Sequence, residues 1–200
     1  KPRWGGSYRA MEAFAAEAQK YAPVNPRLVL LKGYVAADQA NLAIDDDDYA
    51  KAIGLYRQAL KQGEFWDWHY GMAIAYFNWQ KPSEAMAEID KAVSLRPNSA
   101  KALAYRAHIH YKQGATDKAL ADIEAAREVA SQKSEYQNNA NWMAHQVLLK
   151  GYDHYKAKDY DRAIAEYDLA VRFDPEYGEL YYWRAQAYVG LKDLGRARTE

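Results

Sequence analysis

The chain has 200 residues, half of them hydrophobic, enough to bury a sizeable core over one or two ordinary domains. Its 27 basic and 27 acidic residues cancel, which removes the basic stripe that nucleic-acid binding wants and weakens any case for an anionic membrane surface. It has no cysteine, so disulfides, thiolate metal sites and cysteine nucleophiles are excluded, and no apolar run approaches the roughly 20 residues that span a bilayer.

In chain order, Ser7 to Ala22 carries a helical stripe of Tyr8, Met11, Phe14, Ala15 and Ala18, and Pro23 to Pro26 reads as a turn. Arg27 to about Ile44 reads as one long helix containing Lys32-Gly33. The four acids Asp45 to Asp48 sit where the next helix should start. They lack the spacing of a calcium loop, so they are read as capping residues. Tyr49, Ala52, Ile53, Tyr56 and Ala59 then form a further helical stripe.

From Trp66 the pattern becomes regular. Met72, Ala73 and Tyr76 make one stripe. Pro82 opens a second helix, since proline suits the first turn. That helix carries Ala85, Met86, Ile89, Ala92 and Val93 and ends at Arg96-Pro97. The unit 66–99 is thus two short antiparallel helices. The unit 100–133 repeats it with Leu103, Ala107, His110 and Tyr111, a stop at Gly114, and a second stripe of Ala119, Leu120, Ile123 and Ala126 that Asp117 can cap. A third unit spans 144–177, and a fourth, 178–200, stops inside its second helix. Ala85, Ala119, Ala163 and Ala197 mark the period, with spacings of 34, 44 and 34.

Residues 134–143 account for the long step. Tyr136, Ala140, Met143 and Val147 continue a helical stripe, and Ser134 with Gln137 matches a capping box. The expectation is one helix from about Ser134 to Lys156, protruding by roughly two to three turns.

These units resemble tetratricopeptide repeats. The small residue of the first helix, the aromatic one turn on, the alanine opening the second helix and the closing proline are Ala73, Tyr76, Ala85 and Pro97 in the unit from Trp66. In the unit from Ala144 they are Gly151, His154, Ala163 and Pro175. Ser131 replaces the closing proline of the unit from Ala100. The resemblance covers 66–200 and implies an all-α, right-handed superhelix of antiparallel helix pairs. Residues 1–65 are less regular: Gly33 lies 19 residues before Ala52, against 12 between Ala73 and Ala85, so that first helix is about two turns too long for the family. Pro2 to Tyr8 looks like the tail of an uncharacterised bacterial domain that precedes such repeats. That likeness, and a first residue that is not methionine, read as a piece of a longer product. The two parts are expected to form one continuous domain.

Chemistry in these residues is sparse. His108 and His110 are two apart on a helix, about 200° around it, and cannot share a metal. His69, His145 and His154 have no carboxylate or histidine at a ligand spacing. Asp153, Asp159, Asp161 and Glu166 are not set across any cleft, and Ser7 after Gly5-Gly6 has no nucleophile elbow. No enzyme activity, metal or cofactor is expected.

The resemblance instead implies a partner-binding groove, because the first helices of such repeats line a concave side. Its slots here hold Asp67, Tyr70, Ile74, Phe77 and Asn78, then Lys101, Ala104, Tyr105, His108, Tyr111 and Lys112. Leu148, Leu149, Tyr152, Tyr155 and Lys156 follow, then Tyr182, Trp183, Gln186 and Val189. The candidate anchors are Tyr70, Phe77, Tyr105, His108, Tyr152, Tyr155, Tyr182 and Trp183, with Lys101, Lys112 and Lys156 steering acidic groups. Chaperone-binding members grip a C-terminal carboxylate with Lys, Asn and Arg in these slots. Tyr70 and Ile74 stand where the first Lys and Asn would be, so a chaperone tail is not expected.

The leading reading is a non-catalytic scaffold that binds a peptide or helix of a partner protein. The alternatives are a regulatory or substrate-presenting arm of a larger enzyme, and a self-association module using the open C-terminal end or the helix near Tyr136 to Trp142. A cytoplasmic location is taken over a periplasmic one.

Overall fold

A computed structural model describes residues 26 to 200, together with residues 13 and 17. Apart from residues 13 and 17, and Pro26 as the start of the first described helix, the expected Ser7 to Ala22 helix, the Pro23 to Pro26 turn and the Pro2 to Tyr8 motif lie outside the described residues. Among the described residues the structure is all α-helix, with no strand and one short 3-10 turn at Lys133–Glu135. It divides into two compact units, the first ending at Pro97 and the second starting at Asn98.

The first unit contains α1 (Pro26–Asp45), α2 (Tyr49–Leu60), α3 (Trp66–Asn78) and α4 (Pro82–Leu95). The second contains α5 (Ala100–Lys112), α6 (Thr116–Val129), α7 (Gln137–Lys156), α8 (Tyr160–Phe173), α9 (Glu179–Gly190) and α10 (Leu194–Thr199). Each odd-numbered helix pairs with the next as a hairpin. The alanine period explains the pairing: Ala52, Ala85, Ala119 and Ala163 are fully buried where the second helix meets the first, and Ala197 is half-buried. A methyl group is all that fits at such a crossing. In α7 even a methyl is too much, since a Cβ at Gly151 would lie 2.6 Å from Cε1 of the fully buried Tyr167.

All five hairpins close in the same way. A residue with positive φ follows each first helix: Asp47, Gln80, Gly114, Lys158 and Lys192. The amide after it bonds back to the helix, as in Lys81 N to Tyr76 O at 2.9 Å and Asp193 N to Tyr188 O at 2.9 Å. This double main-chain closure is the Schellman motif. The stop expected at Gly114 is therefore present, with φ 78°, but the other four turns adopt the same conformation without glycine.

Asp48 caps α2 by accepting from Lys51 N at 3.2 Å, as the acidic run suggested, and Asp159 and Asp193 cap α8 and α10 in the same way. Asp117 does not cap α6. The cap position is Ala115, which offers no side-chain acceptor, and Asp117 lies inside the first turn.

Two first helices are long. α1 and α7 have 20 residues each, against 13 in α3 and α5. The α7 extension differs from expectation in two ways. The helix begins at Gln137, because Lys133–Glu135 forms the 3-10 turn, and no capping box involving Ser134 forms. Nor does it protrude. Ala140, Met143 and Val147 are buried, and Gln137 Nε2 donates to Asp174 Oδ2 at 2.6 Å. Lys133 pairs with Glu176, and Arg127 donates to the carbonyls of Arg172 and Phe173 at the end of α8. The chain's own charged and amide groups hold the added turns down, because Asp174, itself 3% exposed, needs donors once it is buried.

Candidate functional site

The first helices of the second unit carry most of the candidate residues, in two ring clusters. In one, Tyr152 and Tyr155 of α7 meet Trp183 of α9, with centroids 4.7 and 5.5 Å from the indole. Tyr182 adds a ring 5.1 Å from Trp183 and is 56% exposed. Trp183 Nε1 donates to Glu179 Oε1 at 3.1 Å, which fixes the indole. Lys156 stands 4.8 Å over the Tyr152 ring and is paired with Asp153 at 2.8 Å. Tyr152, Tyr155 and Trp183 are half-buried, so each shows an edge to solvent while its body is held by neighbours.

In the other cluster, Trp142 stacks on His108 at 4.3 Å and meets Tyr111 edge-on at 5.7 Å, while Tyr105 lies parallel to His108 at 6.0 Å. Burial, then the nearby Lys112 charge, hold His108 below the ordinary histidine range against a hydrogen bond with Asn139. The ring is therefore neutral at neutral pH and stacks as an aromatic. Lys112 lies 4.7 Å over Trp142, and Lys150 lies 5.5 Å over Tyr111. Lys101 is exposed at the start of α5 and joins neither cluster.

Tyr70 and Phe77 belong to α3, in the first unit. Tyr70 packs beside Trp66 at 6.0 Å, and burial pushes its phenol pKa up. Phe77 is half-buried. Two expected slots are not on a surface at all: Ala104 and Leu148 are buried in the core, because the hairpins close over that edge of α5 and α7.

Sequence reasoning missed two groups. Trp142 and Lys150 lie on a second stripe of α7, whose steps of 4, 3 and 4 from Trp142 through Gln146 and Leu149 to Asp153 are visible in the sequence once read separately from the core stripe. The other is His69. The sequence shows no carboxylate at a metal-ligand spacing from it, yet the fold supplies two carboxylate partners. Its Nδ1 lies 2.6 Å from Glu88 Oε2 and its Nε2 lies 2.7 Å from Glu64 Oε2, with the imidazole 3% exposed. Glu88 is 19 residues away, brought alongside only when α3 and α4 fold together. Burial, the largest influence, lowers the His69 pKa, but the hydrogen bonds and charges of Glu88 and Glu64 outweigh it and the net shift is upward. Burial likewise raises Glu88, and its bonds to His69 and Lys91 outweigh that and lower it. The two carboxylates address opposite ring nitrogens, so they cannot converge on one ion. Among the described residues no group of three or more potential ligands is placed to hold a metal. No helix among them is long and apolar enough to cross a membrane.

Comparisons with known proteins agree with the helical-repeat fold. Models described as "Tetratricopeptide repeat" match residues 37–100 and 70–135, and one described as "TPR repeat" matches residues 151–192. The first match starts at residue 37, so it takes in the second half of α1 and all of α2. No curated protein matches the sequence. Among solved structures, MamA from Desulfovibrio magneticus RS-1 is 20% identical over 84% of this chain and 90% of its own, with a TM-score of 0.53. A tetratricopeptide repeat protein from Parabacteroides merdae is 16% identical over 98% of this chain and 71% of its own, with a TM-score of 0.56. The first such domain of Spaghetti (RPAP3), solved bound to an HSP90 peptide, is 21% identical over 58% of this chain and 94% of its own, with a TM-score of 0.52. At these identities the likeness is one of fold. The matched repeats cover well over half of the sequence, and the chain belongs to the tetratricopeptide repeat family.

Proposed function

We propose that the chain is a non-catalytic interaction module that binds a peptide or helix of a partner protein. The observation that carries this reading is the Tyr152–Tyr155–Trp183–Tyr182 cluster, whose rings are locked by one another and still show edges to solvent. Rigid, half-exposed Tyr and Trp side chains provide large contact area at small entropic cost and are the usual binding hot spots. Tyr105, His108 and Lys112 extend the surface along α5, Lys101 and Lys156 add positive charge, and Tyr70 with Phe77 offer a smaller aromatic face on α3. The partner segment is read as apolar with scattered acidic residues. It is not read as a chaperone tail, because Tyr70 and Ile74 occupy the positions where a carboxylate clamp would begin.

The test is affinity capture with the 22.9 kDa chain, followed by titration of the captured partner against Tyr152→Ala and Tyr182→Ala. A loss of about tenfold or more in affinity in either variant, with helical circular dichroism retained, is the expected result. Unchanged affinity in both, with the fold intact, would sink the assignment.

A second reading has one observation in its favour. Val189 and Leu194, in the last hairpin, are 47% and 65% exposed, an apolar pair that a second copy could cover. Sedimentation decides it: a monomer at high protein concentration removes self-association.

A further inference from the structure

The two turns added to the start of α7 do more than lengthen it. They carry Trp142 onto the end of α5, where it stands against His108 and Tyr111. A first helix of the usual 13 residues would end short of this point. The indole becomes one wall of a cleft of about 400 Å³, which Tyr111, Lys112, Leu149 and Lys150 complete.

The charge in that cleft is unbalanced. Lys112 lies over the Trp142 ring and Lys150 over the Tyr111 ring, and among the described residues neither ammonium is paired with a carboxylate. Asp153 also lines the cleft, but its carboxylate is engaged by Lys156 at 2.8 Å. An aromatic face holds an ammonium in place without neutralising it, so both cations keep donors for a ligand. Thr116, the first residue of α6, lies at the edge, and α6 has no side-chain cap on its free amides. Two positioned cations beside an indole and a leucine suit a short chain that alternates carboxylate with hydrocarbon. They do not suit a neutral apolar segment, which would leave both charges partly desolvated and unpaired.

We propose that this cleft binds an acidic peptide segment of the partner protein, with glutamate or aspartate carboxylates between Lys112 and Lys150 and the adjoining methylenes against Trp142 and Leu149. The inference rests on the interaction-module reading and deepens it: it assigns a charge to the partner and a second contact point apart from the Tyr152–Trp183 cluster.

The experiment is a titration of the 15N-labelled chain with hexaglutamate at low salt, followed by amide and indole shifts. The expected result is a saturable response centred on Lys112, Gly114, Thr116 and Trp142, weakened by added salt. The Lys112→Gln/Lys150→Gln double variant should weaken it by about tenfold, since each exposed ion pair is worth up to about 1 kcal/mol. Lysines on a helix surface tolerate such changes, and an unshifted spectrum elsewhere verifies the fold. Shifts confined to Tyr152, Tyr155 and Trp183 would overturn the cleft while leaving the interaction-module reading in place. No saturable response, or an equal response to inorganic phosphate, would overturn the peptide assignment. A response at the cleft combined with partner binding that ignores Tyr152→Ala and Tyr182→Ala would uphold the cleft and sink the aromatic cluster.

Discussion

Each unit contains an aromatic cluster centred on a tryptophan, and the two have opposite fates. In the first unit Trp68 sits between Tyr34 and Phe65, with centroids 5.4 and 4.5 Å away, and is 2% exposed. In the second unit Trp183 sits among Tyr152 and Tyr155 at similar distances and stays half-buried. Trp183 has even more ring neighbours, with Tyr182 a third at 5.1 Å. The difference is what faces the indole. Gly33 of α1 lies against the six-membered ring of Trp68, so the backbone of a neighbouring helix comes down on it. Trp183 has no such seat, and its exposed edge remains. The close backbone approach at Gly33 goes with the burial of Trp68.

The sharpest way to break this contrast is truncation. Trp68→Ala is expected to destabilise the first unit by about 3–5 kcal/mol, as large buried aromatics do, read by chemical denaturation. Equal loss from Trp183→Ala would erase the distinction. Next, Gly33→Ala drives a methyl into the Trp68 ring and should cost about 1–3 kcal/mol by overpacking. Gly54→Ala is its control: that position in α2 is exposed with nothing within 4 Å, and removing a mid-helix glycine should stabilise by about 0.5–1 kcal/mol. Tyr182→Ala, at the exposed end of the second cluster, should shift stability by no more than about 0.5 kcal/mol while affecting partner binding.

The units should also differ in their response to pH. In the first, the folded pKa of His69 is raised, so its contribution is full below the unfolded value near 6.5 and is lost as pH rises through the folded value. Glu88 has the opposite sense: its lowered folded pKa contributes above the unfolded value near 4.5 and is lost as pH falls through the folded one. Stability of the first unit should therefore be greatest between those limits. His69→Gln should flatten the alkaline slope in denaturation curves taken from pH 6.5 upward. A slope unchanged in the variant would show that the His69 pair does not set it.

The repeat layout was legible in the sequence for a physical reason. Alanine at a helix crossing is dictated by local backbone distance, so the alanine ladder survives into the structure, with Ala52, Ala85, Ala119 and Ala163 all buried. The two over-long first helices were legible too, as residues in excess of that period. What failed were features decided by contacts far apart in sequence. The α7 extension folds back because Asp174, 37 residues beyond Gln137, captures it, and nothing local to residues 134–143 shows that. His69 meets Glu88 across a hairpin. Of the candidate site, the aromatic and lysine positions were found from the family's slots, whereas Trp142 escaped because it lies in the added residues 134–143 that the family pattern does not contain, and Lys150 because it lies on the helix stripe beside those slots.

The left-handed turns bear on where this chain can gain length. Each hairpin is closed by two main-chain bonds around a single residue, whatever its side chain. An inserted residue there would break the closure, and with it the crossing at the buried alanine. The front end of a first helix is under no such constraint: α1 and α7 are both seven residues longer than α3 and α5, and their closing turns keep the shared form. Growth is thus confined to one end of one helix in each pair. That gives the architecture a direction, in which new surface such as that around Trp142 can be laid down without renegotiating the scaffold beneath it.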